Sequence, residues 1–141
     1  MRHNKIFSAA IVLFVTAFFA IGWVARPTVN PSTAVTITTT YPDGALPDVS
    51  GTFTTSGALE TSGSTTMSVD LFGNVAHCTQ TLVAPGGTIT ILSQCQFSTM
   101  TGSWRIVSGT GDYANLQGNG RLVMTFPPGV IVVETFSGRI N

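Results

Sequence analysis

Trp104-Arg105-Ile106-Val107-Ser108-Gly109-Thr110-Gly111-Asp112-Tyr113-Ala114-Asn115-Leu116-Gln117-Gly118-Asn119-Gly120 reads as a strand, a glycine-punctuated corner and the start of another strand. Trp104 and Ile106 share one face of the first strand. Gly109 and Gly111 allow backbone angles closed to other residues. Asp112 is placed to cap a single helical turn over Tyr113–Gln117, and Gly118 to end it. Tyr113 and Leu116 are then free to plug one end of whatever the strands enclose. The corner Gly109, Gly111, Tyr113, Leu116 and Gly118 is therefore read as structural.

The same alternation runs outward in both directions. Upstream, Met67, Val69 and Leu71 alternate with Thr66, Ser68 and Asp70 up to Gly73-Asn74, a two-residue hairpin signal of type II′. That turn pairs Phe72 with Val75, Leu71 with Ala76, Asp70 with His77 and Val69 with Cys78. One face then holds Met67, Val69, Leu71, Ala76 and Cys78, and the other Ser68, Asp70, His77 and Thr79. The next turn, at Pro85-Gly86-Gly87, is centred between the two glycines within a loop over residues 85–88. This pairs Ala84 with Ile89, Gln80 with Ser93, Cys78 with Cys95 and Ala76 with Phe97. The only two cysteines of the chain land opposite each other on the apolar face, and in an exported chain that pairing reads as a Cys78–Cys95 disulfide. Closing the 18-residue span between them stabilises by roughly 3 kcal/mol on a chain-entropy argument.

Strands over Ala34–Thr40, Gly51–Leu59, Asn119–Phe126 and Val130–Ser137 bring the count to eight. Tyr41-Pro42-Asp43-Gly44, with Pro47 beyond it, reads as the loop after the first strand, and Pro127-Pro128-Gly129 as the last turn. Pairing Phe126 with Val130 gives the last hairpin a face of Leu122, Met124, Phe126, Val130, Val132, Glu134 and Phe136. Glu134 is the single charge on it. No window holds helical periodicity beyond one turn, so the domain is all-β, an eight-stranded antiparallel barrel. Closure also removes the open apolar edge that the last strand would otherwise present.

At the other end, Met1–Lys5 is short and basic, and Ile6–Ala25 is an uncharged run of 20 residues. This is the layout of an export signal, or of an uncleaved anchor of bilayer-spanning length. Residues 1–25 are read as that segment, 26–32 as a Pro-containing linker and 33–141 as the barrel domain. The domain is expected to be secreted or to sit in the cell envelope, meeting a membrane only through its leader.

Composition agrees with this reading. Of 141 residues only 9% are charged and 43% apolar, too few charges for a disordered chain. From Arg26 onward four arginines stand against six acids, a net of −2 without a lysine. That excludes a basic nucleic-acid footprint.

Gly109–Gly118 resembles the G-(T/S)-G-x-(F/Y)-x-x-(A/L)-x-G corner of the allene oxide cyclase and dirigent-type barrels. Trp104–Gly118 is also similar to a W-x-(I/V)-x-x-G-T-G-x-Y-x-x-L-x-G pattern of uncharacterised exported bacterial proteins. Phe136-Ser137-Gly138-Arg139-Ile140 is a weaker echo. The resemblance implies an eight-stranded antiparallel barrel, an apolar cavity and a tendency to assemble into homo-oligomers. Members with known chemistry steer reactive lipid-derived or phenolic intermediates. The dirigent pattern commonly carries Lys or Arg after the glycines, where this chain has Asp112.

Little catalytic chemistry survives scrutiny. Gly109-x-Gly111-x-x-Ala114 lacks the βαβ unit a dinucleotide fingerprint needs. His77 is the only histidine beyond the leader, so no metal site is expected. Any Ser-His-Asp triad would have to use His77, whose cross-strand neighbour Asp70 shares its polar, outward face. The pair therefore reads as an exposed ion pair. Glu134 is the candidate catalytic residue. Facing an apolar interior, its carboxyl would have a raised pKa and could serve as acid, base or ligand anchor. At a barrel mouth it would instead be solvated or paired with Arg105 or Arg121. Trp104, Phe53, Phe97, Met124 and Phe136 are core residues that become ligand contacts if the barrel holds a void. The chain is thus read as an exported barrel binding a small apolar molecule without catalysis or cofactor. The alternatives are a cyclase or isomerase-type enzyme using Glu134, and a solidly packed envelope protein.

Overall fold

The computed structural model describes residues 33–141. The signal or anchor and the linker expected over residues 1–32 lie outside the described residues. Eight strands run in chain order: β1 (Thr33–Ala45), β2 (Asp48–Gly57), β3 (Ser62–Phe72), β4 (Val75–Ala84), β5 (Gly87–Gln96), β6 (Thr101–Gly109), β7 (Gly118–Thr125) and β8 (Val132–Ile140). Each pairs antiparallel with the next, and β8 returns to β1 from Thr33 opposite Ile140 to Tyr41 opposite Val132. The sheet is a closed eight-stranded barrel. One short 3₁₀ turn, Gly111–Tyr113, interrupts the strands.

Alternation decides what fills the bore. Val35, Ile37, Phe53, Leu82, Ile89, Ile91, Trp104, Leu122, Phe136 and Ile140 all point inward and are buried. Eight strands leave a bore just wide enough for such side chains to meet. Trp104 stands edge-on to Phe136, with centroids 6.1 Å apart and planes at 89°, and its Nε1 donates to the Ser137 carbonyl at 3.3 Å. Edge-to-face pairs of this kind add about 1 kcal/mol beyond burial. Gly138 makes room for the indole: a Cβ there would lie 2.8 Å from Trp104 Cζ2.

The β3–β4 hairpin has the expected register, including Asp70 opposite His77 and Val69 opposite Cys78. Gly73 takes φ 59°, as the first central position of a type II′ turn requires. The β4–β5 hairpin does not follow expectation. Ala84 opposes Gly87, so the turn is Pro85-Gly86 alone, and Cys78 faces Ser93 while Cys95 faces Ala76. Proline belongs at the first central position of a type II turn, where its missing N–H has no partner to lose, and Gly86 supplies the positive φ of 94° at the second. This moves the register by two residues. Both cysteines stay on the inner face but become diagonal neighbours, and the expected disulfide is absent: both thiols are free and buried. Diagonal positions lie roughly 7–8 Å apart, beyond the Cβ separation of about 4 Å that a disulfide spans.

The last hairpin is displaced likewise. Met124, not Leu122, opposes Glu134, and Leu122 opposes Phe136. Phe126 and Val130 fall in the connection, leaving Phe126 exposed rather than inside. The expected loop at Tyr41-Pro42-Asp43-Gly44 is instead part of β1, which runs through a register shift between Thr40 and Asp43 to reach Ala45. Exposed Pro42 sits at that irregularity, where a missing ladder donor is tolerated. Tyr41 is fully buried as a result.

The two ends of the barrel differ. The base carries the turns at residues 58–61 and 85–86, the corner at 110–117, and the barrel's two chain ends. Tyr113 is buried there, and its hydroxyl donates to the Pro85 carbonyl at 2.9 Å. Leu116 packs half-buried against the core. The expected turn over Tyr113–Gln117 capped by Asp112 is corrected: the 3₁₀ turn lies earlier, and Thr110 precedes it without a side-chain cap. The Thr110 hydroxyl is engaged elsewhere, accepting from Thr88 N at 3.0 Å. Gly111 has φ 60°, whereas Gly109 has no positive φ; a Cβ on Gly109 would lie 2.1 Å from the Tyr113 carbonyl oxygen. Close approach, not backbone angle, requires glycine at 109.

Candidate functional site: the mouth of the barrel

The opposite end is open. Four turns ring it, at residues 46–47, 73–74, 97–100 and 126–131. Leu46, Leu71, Phe72, Met100 and Phe126 are exposed on or beside these turns. Leu71 and Phe126 keep the inward parity of their strands but lie at or past the end of the wall, so they hang over the opening. Inside this lip is a pocket of about 70 Å³, walled by Met67, Val69, Ala76, Cys78 and Met124, with Phe97, Ile131 and Val132 beside them. Glu134 also lines it.

Glu134 is completely buried. Its Oε2 accepts from Thr39 Oγ1 at 3.1 Å, from the neighbouring strand, and from Gln80 Nε2. β4 and β8 lie four strands apart in a ring of eight, so the Glu134–Gln80 bond crosses the bore. Gln80 Nε2 also lies 3.5 Å from Met67 Sδ. Nearby, Tyr41 Oη and Thr65 Oγ1 share a hydrogen bond of 3.3 Å. Two buried side-chain oxygens in this belt have no partner: Glu134 Oε1 and Gln80 Oε1. Unpaired buried polar atoms are rare in folded proteins, and each one asks for a reason.

The electrostatics follow from burial without a cation. Desolvation pushes the Glu134 carboxyl up from 4.5 to about 7, against the opposing pull of its bonds from Thr39 and Gln80. Burial, then the neighbouring Glu134 charge, pushes the Cys78 thiol up to about 12 and raises Cys95 and Tyr41 as well. Arg105 and Arg121, the partners considered for Glu134, are exposed on the outer wall. A carboxyl near neutrality in an apolar pocket can hold or exchange a proton, or anchor a donor.

The expected ligand contacts divide between two regions. Phe97 and Met124 line the mouth pocket. Phe53, Trp104 and Phe136 are fully packed in the bore and do not line it. The mouth pocket therefore reaches two of the five expected contacts. His77 and Asp70 face outward as expected, and the His77 ring sits edge-on to Phe72 at 5.3 Å. Two larger recesses of about 420 and 500 Å³ are open troughs on the outer wall. Among the described residues, no three His, Cys, Asp or Glu side chains gather as a metal site. The residues missed from sequence are Thr39, Tyr41, Thr65 and Gln80. Alternation already put Gln80 inward with Cys78 and Thr39 inward with Ile37, which was the available signal.

No family model matches the chain, and no curated protein matches it. Among solved structures, a pyocyanin demethylase is similar, at 14% identity and a TM-score of 0.46, over 78% of this chain and 99% of that one.

Proposed function

We propose that the protein is an exported, non-catalytic receptor for a small apolar molecule held at the mouth of its barrel. The observation that carries this is the pocket between Met67, Ala76 and Met124, framed by side chains that a soluble protein ordinarily hides. At about 70 Å³ it is well below the roughly 300 Å³ of an enclosing ligand site. The bound molecule therefore inserts one end and lays the rest along Leu46, Leu71 and Phe126. Membership of the allene oxide cyclase and dirigent-type barrels is part of the proposal, supported by the corner from Gly109 to Gly118. The test is native mass spectrometry of the full-length protein purified from its own source, beside an Ala76→Leu variant that fills the pocket. A co-purifying small molecule carried by the wild type and lost from the variant is expected. An empty wild type that also takes up no apolar dye would overturn the reading.

One observation favours a second reading, an enzyme of the cyclase or isomerase type: Glu134, with a pKa near 7, lines the pocket. A turnover assay against unsaturated or epoxide substrates decides it. Activity in the wild type that disappears in Glu134→Gln would establish the enzyme in place of the receptor.

A further inference from the structure

The mouth pocket gathers sulfur. Among the described residues the sulfur-bearing side chains are Met67, Cys78, Cys95, Met100 and Met124. Met67, Cys78 and Met124 all line the same space of about 70 Å³. Closure of the barrel brings them there from opposite walls. Met67 on β3 opposes Gln80, two residues from Cys78 on β4, so Met67 and Cys78 are diagonal neighbours, a separation that long side chains span. Met124 is on β7, four strands from β3 in the ring of eight, and so faces them across the bore. The contact of Gln80 Nε2 with Met67 Sδ, at 3.5 Å, fixes that sulfur beside the buried polar belt. A cysteine lines a pocket only with its Cβ and Sγ, so the wall at Cys78 is largely its thiol. Cys95 does not line the pocket, and its Sγ turns to the Gln96 carbonyl at 3.8 Å.

The ligand types decide what such a space takes. Apart from Glu134, the remaining lining side chains are hydrocarbon, and His77 points outward. Mg²⁺ and Ca²⁺ need a full shell of oxygens, which this pocket does not offer. Zn²⁺ is held by thiolate, imidazole and carboxylate rather than by thioether. A thiolate together with thioethers is the soft set that selects Cu(I). About 70 Å³ holds roughly two water-sized units, which is room for a bare ion and not for a hydrated one. Charge points the same way. Glu134 lies close enough for its charge to raise the Cys78 thiol, and the field that penalises a bare thiolate there favours a cation held on it. That attraction acts through space and needs no contact with the carboxylate. Met67 and Met124, unbranched and adaptable, can close on the ion.

We propose that the floor of the mouth pocket is a Cu(I) site, with Cys78 Sγ, Met67 Sδ and Met124 Sδ as its ligands. Binding exchanges the Cys78 thiol proton for the ion. The S–H bond breaks, its proton passes to solvent, the freed electron pair forms the S–Cu bond, and copper stays at +1. The site goes beyond the receptor reading and does not rest on it, since it makes no use of Leu46, Leu71 and Phe126 at the lip.

The test is an anaerobic titration of the full-length, reduced protein with Cu(I) held on bicinchoninate, a coloured competing chelator. The wild type should withdraw a single equivalent of copper, release a proton as it does so, and develop ultraviolet thiolate-to-copper absorption. Cys78→Ser should lower the affinity by at least about a hundredfold, and Met67→Leu and Met124→Leu by at least about tenfold each. Leucine replaces methionine with little change of volume, so the wall keeps its packing. Cys95→Ala should bind as the wild type does. X-ray absorption at the copper edge of the wild type, which depends on no variant, should show a shell of sulfur alone. Nitrogen in that shell would assign the ion to His3 or His77 and overturn the site. Affinity that survives both methionine replacements would overturn it, as would a loss in Cys95→Ala equal to that in Cys78→Ser. A wild type that withdraws no copper would overturn it outright. The receptor reading stands or falls separately, on uptake of an apolar dye by the metal-free protein.

Discussion

Replacing Glu134 by glutamine should make the protein more stable in alkaline solution and leave it nearly unchanged in acid. The carboxyl titrates at 4.5 when free and at about 7 in the folded chain. Below the lower value both states carry the proton and burial costs nothing extra. Between the two, the unfolded chain releases its proton while the native chain keeps it, so stability falls as pH rises. Above about 7 the native carboxyl is ionised without a cation beside it, and the whole penalty is present. A shift from 4.5 to about 7, at about 1.4 kcal/mol per unit, amounts to about 3 kcal/mol. Glutamine is the neutral isostere. Its carbonyl can still accept from Thr39 Oγ1 and Gln80 Nε2, and it cannot ionise. Urea denaturation of both full-length proteins from about pH 4 to about pH 9 would measure the gap. It should open from near zero to about 3 kcal/mol in favour of Glu134→Gln, most steeply between the two pKa values. Because the exposed acids are common to both chains, their contribution cancels. A gap that stays flat with pH would refute a carboxyl buried without charge compensation.

Other consequences are open to measurement. Both thiols should resist a thiol-specific reagent in the native protein at pH 8 and react once urea is added, and a reductant should leave the thermal midpoint unchanged; a midpoint that drops on reduction would restore the disulfide. Tyr113→Phe removes the 2.9 Å bond to the Pro85 carbonyl and should cost about 1 kcal/mol in urea denaturation. Gly109→Ala sets a methyl 2.1 Å from the Tyr113 carbonyl oxygen, so the corner must shift; it should destabilise by at least about 2 kcal/mol, more than the hydroxyl deletion. Leu71→Ser exposes no new surface in the wall, and should weaken apolar dye binding several-fold with stability changed by less than about 0.5 kcal/mol.

The alternation of side chains made the faces legible and left the registers ambiguous, for a single reason. A slip of one residue turns every side chain over, so a buried face forbids it, whereas a slip of two leaves each face intact. Pairing Cys78 with Cys95 or with Ser93 buries the same residues, and so does pairing Glu134 with Leu122 or with Met124. Turn chemistry chooses between them. Gly73-Asn74 left one option, whereas Pro85-Gly86-Gly87 offered two, and the proline's place in a type II turn decided against the disulfide. Phe126 shows the cost of misjudging a turn: its parity was right, but the wall ended before it. The inward position of Glu134 could be read along β8, and so could that of Gln80 along β4. Their meeting could not, because it depends on closure setting β4 across the bore from β8, which no local pattern encodes. Tyr41 was hidden behind a proline that composition assigns to a loop and the fold assigns to a strand irregularity.

Thr33 and Ile140 lie opposite each other on the β1–β8 seam at the base. A ring of strands that all follow one another in sequence has no privileged starting point. A short linker from Ile140 to Thr33 would turn this seam into one more hairpin, and the polypeptide could then be cut at Gly73-Asn74 instead. Such a circular permutant keeps every strand neighbour and moves the new ends to the rim of the opening, beside the pocket, where a fused reporter would sense whatever enters.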